Sequence, residues 1–238
     1  MTRGTLRQLC RLSFAAVVVV LAGCGGGGTK SADTPSLSDT STQAGTSTQT
    51  RATDANGCAT VTPPAGKVKN EAKPKKGLDP AKTYDVKIET NCGAFTIRLA
   101  VKTSPATTAS FVSLAKKGFF DGTVFHRIVP GFVIQGGDPT GTGQGGPGYK
   151  TVDPPPATTK YTLGVVAMAK TATEAPGTSG SQFFVVTAQD AGLPPDYAVL
   201  GKISSGSDVV KRIGTLGDPA TEQPTETVEI EHATVDVH

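Results

Sequence analysis

The sequence is poor in aromatic and sulfur-containing residues. Its 238 residues include no tryptophan, four cysteines, two methionines and three histidines, and aromatic residues make up 5% of the chain. The charge is nearly balanced, with 23 basic and 20 acidic residues and a formal net charge of +3. This balance argues against a nucleic-acid-binding protein, whose binding domain is far more basic. Because the chain contains one continuous apolar stretch, it is not a multi-pass membrane protein.

The few aromatic residues are unevenly distributed. Phe14 is the only one before Tyr84, and the other twelve follow from Tyr84 onward. This distribution divides the chain into a head (residues 1–23), an aromatic-free middle (residues 24–83) and a folded domain (residues 84–238). A domain of that length can bury a proper hydrophobic core.

The head has the pattern of an export signal. It contains Arg3, Arg7 and Arg11, no acidic residue, and then an apolar run from residue 12 to residue 22. A basic start followed by a short apolar run is typical of a secretory signal peptide, and this run is too short to span a bilayer. Its end, Leu21-Ala22-Gly23-Cys24, resembles the lipobox of bacterial lipoproteins. The resemblance implies cleavage before Cys24, lipid attachment to its sulfur, and an extracytoplasmic protein anchored to the cell membrane. The alternative is an ordinary signal peptide with an incidental cysteine.

Residues 24–83 are rich in Gly, Ser, Thr, Ala and Pro. A segment without aromatic residues cannot bury enough apolar surface to offset its chain entropy. We therefore expect a disordered tether. Its basic run, residues 67–76, is either a wall-binding patch or a solvated part of the linker.

The cysteines allow one disulfide in the exported protein. If Cys24 carries lipid, Cys58 and Cys92 are the only intramolecular pair that remains after signal cleavage. Export makes a bond between them chemically reasonable, although the sequence leaves open whether it forms. Two cysteines without a nearby histidine do not fill a tetrahedral zinc site, so no metal is expected.

The domain has the pattern of many short strands and two helices. Residues 84–89 and 95–99 alternate between apolar and polar around the turn residues 91–93, which predicts a β-hairpin. Ser104 and Pro105 are typical of a helix N-terminus and begin a predicted helix over 105–117. A second, short helix is predicted over 207–213. Short apolar runs predict further strands at 124–134, 163–169, 183–187, 198–203, 227–230 and 234–237. Such a chain favours a closed β-barrel, which leaves no sheet edge exposed.

One long motif, residues 125–138 (FHRIVPGFVIQGGD), resembles the signature of cyclophilin-type peptidyl-prolyl cis-trans isomerases. The segments 120–123, 166–169 and 180–184 match the family in the same order, and residues 141–149 are similar to the glycine loop of its small bacterial members. The resemblance covers residues 84–238. It implies a mainly β fold, namely a closed eight-stranded antiparallel barrel capped by two helices.

The resemblance also implies an activity. Rotation about an X–Pro bond is opposed by amide resonance, with a barrier of about 18–20 kcal/mol. Catalysis needs a dry pocket for the proline ring and a cation near the prolyl nitrogen, and it needs no cofactor, metal or proton donor. The expected partners are proline-containing polypeptides, here exported proteins during folding, and the membrane through the lipid anchor. Nucleic acid is not an expected partner, and the protein is expected to be a monomer.

The resemblance assigns the site residue by residue. Arg127 matches the catalytic arginine, and Gln135 and Gln182 match the polar residues that orient it and hold the substrate. Seven residues match substrate-binding positions: Phe132, Met168, Ala169, Lys170, Phe184, Leu193 and Tyr197. Lys170 replaces the usual asparagine, and Tyr197 replaces a histidine. His126 is expected to be structural, because bond rotation moves no proton.

Each assignment has an alternative without catalysis. Outside the motif, Arg127 would be an ordinary surface arginine, the apolar residues would be core, and Gln182 would be a structural hydrogen-bonding residue. At the level of the whole protein, the alternatives are a non-catalytic chaperone lipoprotein that binds proline peptides, and a structural envelope lipoprotein that kept only the fold.

Overall fold

The computed structural model describes residues 52–238, which contain eleven strands and two helices. The strands are β1 (Tyr84–Thr90), β2 (Gly93–Leu99), β3 (Thr123–Val124), β4 (Arg127–Val129), β5 (Val133–Gly136), β6 (Thr151–Val152), β7 (Val165–Met168), β8 (Thr178–Ser179), β9 (Phe183–Val186), β10 (Val199–Ser205) and β11 (Glu229–Val237). The helices are α1 (Pro105–Lys116) and α2 (Ser207–Ile213). The predicted signal peptide, the lipid attachment site Cys24 and the first part of the predicted tether lie outside the described residues.

Nine of these strands form one antiparallel sheet, in the order β3-β11-β1-β2-β10-β7-β9-β5-β4. β6 and β8 form a separate pair. The predicted hairpin is present as β1 and β2, with Asp85 opposite Arg98 and Thr90 opposite Gly93. The mainly β fold with two helices is confirmed, but the main sheet has nine strands rather than eight.

The strand count differs because the predicted strand 124–134 is divided into β3, β4 and β5, while the predicted strands 227–230 and 234–237 form the single strand β11. The turn at Gly131, whose φ is +70°, separates β4 from β5. Phe125, which lies between β3 and β4, is completely buried. The two edge strands, β3 and β4, are consecutive in sequence, and an isolated bridge between Val124 and Asp138 links the first edge to the end of β5. The curled sheet therefore closes through a single bridge rather than a continuous ladder.

The N-terminus of α1 is capped from outside the helix. Ser104 occupies the predicted N-cap position and Pro105 begins the helix, but the Ser104 side chain makes no cap hydrogen bond. Instead, the Thr107 N–H donates to Oδ2 of Asp153 at 2.6 Å. A carboxylate is favourable there because the unpaired amides at a helix N-terminus carry partial positive charge. The helix packs Phe111 and Leu114, each 1% exposed, into the domain.

Two apolar clusters lie on opposite faces of the sheet. The inner core packs against α1 and includes Ile134, Phe183 and Val185. The outer cluster comprises Val133, Tyr161, Ala167, Phe184 and Val186, with Phe132, Leu193 and Tyr197 packed against it. Because successive side chains of a strand point to opposite faces, neighbours such as Phe183 and Phe184 belong to different clusters.

The segment that precedes β1 corrects the predicted tether. Within residues 66–73, here called the strap, the Lys67 and Glu71 amides donate to the carbonyls of Pro139 and Pro147, each at 2.8 Å. Lys69 Nζ donates to the Phe119 carbonyl at 2.6 Å. The prediction of a disordered tether over 24–83 is therefore wrong for the part after residue 51. The composition of this segment indicates only that it cannot form a core of its own. The segment instead packs on a domain that already has a core.

The two remaining cysteines confirm the predicted pair. A disulfide joins Cys58 to Cys92, 34 residues apart, and both residues are 1% exposed. The bond attaches the segment before the strap to the turn of the β1–β2 hairpin. Between residues 52 and 238, no helix has the length and apolar character needed to cross a membrane.

Candidate active site

Strand register assembles the site as one row across the outer face of the sheet. Arg127 on β4 lies opposite Gln135 on β5, and Gln135 lies opposite Phe184 on β9. Phe184 in turn lies opposite Ala167 on β7. Directly opposed residues of antiparallel strands point to the same face, so these four side chains are neighbours. The row places a cation at one end and an aromatic ring near its middle.

A cavity of about 260 Å³ opens above this row. Its lining is Arg127, Phe132, Val133, Gln135, Ala169, Lys170, Phe184, Leu193 and Tyr197. Eight of the ten predicted catalytic and substrate-binding residues are in this set, and Gln182 and Met168 are not. The cavity is apolar on the side of Phe132 and Leu193 and polar at Arg127 and Gln135, so it offers an apolar surface next to a cation.

Met168 is a correction. Its side chain is 1% exposed and packs in the inner core, because it lies opposite Phe183 and shares its face of the sheet. Its role in the apolar wall is therefore wrong. Val133 takes that place in the cavity and was not among the predicted residues. Its signal was present in the sequence: Val133 and Gln135 are two residues apart on one strand and so share a face.

Phe184 and Tyr197 line the cavity, and the buried ring of Tyr161 packs behind them. Tyr197 is edge-on to Phe184 at 5.4 Å and to Tyr161 at 5.8 Å between ring centroids. The Tyr161 hydroxyl donates to the Tyr197 carbonyl at 2.6 Å and accepts from the Tyr197 amide at 2.9 Å. Burial raises the pKa of Tyr161 to about 12, so the hydroxyl keeps its proton. Tyr161, which sequence reasoning missed, thus fixes the backbone that carries Tyr197.

Arg127 is held at one nitrogen. Its Nε donates to Oε2 of Glu222 at 2.7 Å, and its guanidinium carbon lies 6.0 Å from the centre of the Phe132 ring. A third of its side chain is exposed. Guanidinium presents five donors in a rigid fork, so one contact at Nε leaves the terminal nitrogens available for a ligand.

The two glutamines lie on the polar side of the site. Gln135 Nε2 donates to Gln182 Oε1 at 3.1 Å. Gln182 Nε2 in turn donates to the carbonyls of Gly143 and Gly145, at 3.0 and 2.9 Å. Gln182 is therefore joined to the loop over residues 138–148, which contains most of the predicted segment 141–149 and is called the glycine loop from here on, and it reaches the cavity through Gln135.

Asp138 anchors the glycine loop and is fully buried. Its Oδ1 accepts from the Thr140 amide at 2.7 Å and hydroxyl at 2.8 Å, and its Oδ2 accepts from the Gly145 amide at 3.1 Å. Burial alone would raise the pKa of this carboxyl, but these hydrogen bonds outweigh it and hold the pKa below its ordinary value. The carboxylate therefore stays charged and keeps the loop carbonyls facing Gln182.

A smaller cavity, of about 130 Å³, adjoins the first and shares Gln135, Ala169 and Lys170 with it. Its rim carries an ion pair between Lys150 and Glu174 with an N–O distance of 2.8 Å. Lys170 Nζ donates to the Glu174 carbonyl at 3.1 Å and lies 5.6 Å from the Tyr197 ring centre. Lys170 therefore spans the boundary between the two cavities.

His126 lies behind the row and outside the lining of the larger cavity. Its Nε2 is 3.5 Å from Gln135 Nε2. Burial is the largest influence on its pKa and lowers it, so the imidazole is neutral at pH 7. These contacts fit the expected structural role.

Comparison with known proteins places these residues within one family. Residues 85–235 match the family model described as cyclophilin type peptidyl-prolyl cis-trans isomerase/CLD. A peptidyl-prolyl cis-trans isomerase of Arabidopsis thaliana (CYP18-2) is 39% identical over 150 residues, which are 61% of this chain and 90% of the relative. Peptidyl-prolyl cis-trans isomerase-like 1 of Neurospora crassa is 40% identical over 155 residues, 63% of this chain and 93% of the relative.

Solved structures agree with the sequence relatives. A crystal structure of a cyclophilin type peptidyl-prolyl cis-trans isomerase from Cryptosporidium parvum superposes with a TM-score of 0.60 and 30% identity, and covers 65% of this chain and 98% of its own. A second structure of the same protein, in the presence of the dipeptide Ala-Pro, has a TM-score of 0.59. Nearly the whole of each relative is matched, and the family model falls on the folded domain.

Proposed function

Since the chain belongs to the cyclophilin-type peptidyl-prolyl cis-trans isomerases, we propose that Arg127 and the cavity beside it catalyse X–Pro rotation in exported proteins. We also propose that lipid attached to Cys24 holds the domain at the membrane. The observation that carries the catalytic part is the cation of Arg127 at the mouth of an apolar cavity. The Ala-Pro dipeptide in the Cryptosporidium parvum structure supports proline-containing peptides as its ligands.

The geometry suits amide rotation. As the X–Pro bond twists, resonance is lost and the prolyl nitrogen gains a lone pair. The terminal donors of Arg127 stabilise that lone pair in an environment partly shielded from water, where a charge–dipole contact is stronger than in bulk solvent. Phe132, Phe184 and Leu193 hold the proline ring while the other side of the bond turns. Each 1.36 kcal/mol removed from the barrier accelerates rotation about tenfold.

The catalytic proposal is tested with Arg127→Ala and Arg98→Ala. Arg98 is the matched control because it is also a strand arginine paired to a carboxylate, with its Nη2 2.9 Å from Asp85 Oδ2, but it lies outside the cavity lining. Exchange spectroscopy on one X–Pro peptide should show kcat/KM reduced about 10²–10³-fold in Arg127→Ala and unchanged in Arg98→Ala.

Two results would count against this proposal. Full activity in Arg127→Ala would remove the arginine from the mechanism. A wild-type domain that binds proline peptides without accelerating their exchange would be the non-catalytic binding module instead.

The membrane part of the proposal has its support in the sequence and in the disulfide. Three arginines, an apolar run and Leu21-Ala22-Gly23-Cys24 form a lipobox-like head. The bond between Cys58 and Cys92 belongs to oxidising compartments, which export would provide. Acyl chains contribute about 0.8 kcal/mol per buried CH₂, so several chains on one cysteine anchor firmly.

Cys10 provides the matched control for the anchor, since it also lies in the head. In cells expressing the full chain with labelled palmitate, we expect label and detergent-phase partition in wild type and in Cys10→Ser, and neither in Cys24→Ser. Wild-type protein released in soluble, unlabelled form would show an ordinary cleaved signal and overturn the anchor.

A further inference from the structure

Glu222 has an unusual backbone. Among residues 52–238 it is the one non-glycine residue with positive φ, at +60°. This left-handed conformation is costly for a side chain with a Cβ, and such residues persist only where the surroundings hold them. Glu222 lies in the loop between α2 and β11, and its side chain contacts Arg127.

The loop is closed by its own hydrogen bonds. The Glu222 amide donates to the Asp218 carbonyl, and the Asp218 amide donates to the Gln223 carbonyl, both at 2.8 Å. Oδ1 of Asp218 accepts from the amides of Ala220 and Thr221 at 2.7 and 2.9 Å. These bonds fix the loop as a compact turn and hold Glu222 in the left-handed region.

The same loop is fastened to β4, the strand of Arg127. The Ile128 amide donates to the Glu222 carbonyl at 2.9 Å. A Cβ added to Gly217 would lie 2.1 Å from the Ile128 carbonyl oxygen, so only glycine permits this close approach. The Glu222 carbonyl is therefore bonded to Ile128, the residue after Arg127 on β4, and the Glu222 side chain is bonded to Arg127 itself.

The contact falls on Nε of Arg127 and not on a terminal nitrogen of its guanidinium. Glu222 Oε2 accepts from Nε, 2.7 Å away, and this is the only hydrogen bond that the Arg127 side chain makes within the described part of the chain. Both terminal nitrogens stay available toward the cavity. With side chains 33% and 46% exposed, the pair contributes little to stability, because exposed ion pairs rarely do.

We infer that Glu222 is a positioning residue, which orients the guanidinium of Arg127 toward the prolyl nitrogen. The inference rests on the proposed catalytic role of Arg127. Arginine has a long, flexible side chain, and a fixed acceptor at Nε restricts it before substrate binds. A misplacement of about 1 Å in a catalytic group costs up to about 10²-fold in rate. The strained backbone of Glu222 is thus explained by the need to place its carboxylate against Nε of Arg127.

A double-mutant cycle on the full chain tests this inference. In Glu222→Ala we expect kcat to fall about tenfold with KM within about twofold of wild type, since the group positions the arginine and does not bind the peptide. Glu222→Asp should recover part of the loss. In the Arg127→Ala background, Glu222→Ala should have no further effect.

Two further measurements separate positioning from folding. The Nε–Hε NMR signal of Arg127 should shift in Glu222→Gln, which is nearly isosteric, while the unfolding temperature stays within about 2 °C of wild type. Glu89→Ala is the matched control, because Glu89 is a partly exposed glutamate in a surface ion pair with Lys87 on β1. Its removal should change neither rate nor signal.

The outcomes are distinguishable. Equal losses from Glu222→Ala with and without Arg127, or an unmoved Nε signal, would overturn the positioning inference and leave the catalytic role of Arg127 standing. A wild-type rate in Arg127→Ala would overturn both.

Discussion

The inner core and the outer cluster are built from the same strands but serve different ends. β5, β7 and β9 each give alternate residues to both, for example Ile134 inward and Val133 outward. The inner core is enclosed by the curled sheet and α1. The outer cluster is covered only in part, and its open side is the cavity beside Arg127. One strand pattern therefore supplies stability on one face and a binding surface on the other.

This difference teaches where a substitution is felt. An enclosed side chain that is removed leaves a void, and the free energy of unfolding falls by the lost transfer free energy plus the cost of the void. A side chain at the cavity leaves space that solvent already reaches, so stability changes less and binding of the proline ring changes more. Three substitution sets test the division, in order of decreasing effect on stability.

The largest effect is expected at Phe183, which is completely buried and edge-on to Phe111, Phe120 and Phe125. Phe183→Ala should lower the free energy of unfolding by about 3–5 kcal/mol. Phe132→Ala, at the partly open cavity, should cost about 1–2 kcal/mol but reduce kcat/KM at least about tenfold. Denaturant titration and peptide exchange measure the two quantities.

Phe183→Leu is the control for ring loss, and it should recover most of the lost stability because less volume is removed. Equal stability losses in Phe183→Ala and Phe132→Ala would show that the two faces are not energetically distinct.

The second set uses the residue that the sequence placed on the wrong face. Met168→Ala should destabilise by about 2–4 kcal/mol, as a buried methionine in the inner core does, and leave kcat/KM of the folded protein within about twofold. Val133→Ala removes less volume and should cost about 1–2 kcal/mol, but it should lower kcat/KM about tenfold through the cavity wall.

Met168→Leu, which conserves volume, serves as the control and should be close to wild type in both quantities. A large loss of kcat/KM in Met168→Ala with Val133→Ala unaffected would return Met168 to the cavity and refute the assignment of faces.

Met168 also shows how far sequence reasoning reaches. Alternation and turn residues correctly predicted the β1–β2 hairpin, because those signals are local, and the predicted short helix over 207–213 is present as α2. Arg127, Phe132 and Gln135 of the signature motif all line one cavity. A motif match does not by itself give the face of a side chain. Strand register does, and it pairs Met168 with Phe183.

The features that could not be predicted are long-range pairings. Asp153 caps α1 from 46 residues away, Glu222 reaches Arg127 across 95 residues, and Tyr161 holds Tyr197 across 36. None of these partners has a local pattern, because each is selected by the folded geometry. The strap was missed for the same reason: its backbone donors are satisfied by carbonyls of the glycine loop, not by its own sequence.

The third set concerns Asp138, where the expected loss of stability is smaller than at Phe183 and Met168, the buried residues of the first two sets. Asp138→Asn keeps the shape of the side chain but removes the negative charge from the group whose oxygens accept hydrogen bonds from Thr140 and Gly145. It should lower the free energy of unfolding by about 1–3 kcal/mol at pH 7. Looser Gly143 and Gly145 carbonyls should release Gln182 and lower kcat/KM about threefold, because one orienting contact is weakened. Thr140→Val, which removes one donor and keeps the charge, should have a smaller effect on both.

The lowered pKa of Asp138 determines how the stability difference between wild type and Asp138→Asn depends on pH. The folded pKa of Asp138 lies below its ordinary value of 3.8, so the folded state binds its proton less readily than the unfolded chain does. Its stabilisation is therefore complete above the unfolded pKa and is lost as pH falls through the folded pKa. The difference in unfolding free energy between wild type and Asp138→Asn should stay constant from pH 7 to about 5 and shrink below about pH 4. If urea titrations give the same difference at pH 3 and pH 7, the charge of the Asp138 carboxylate is not what holds the loop.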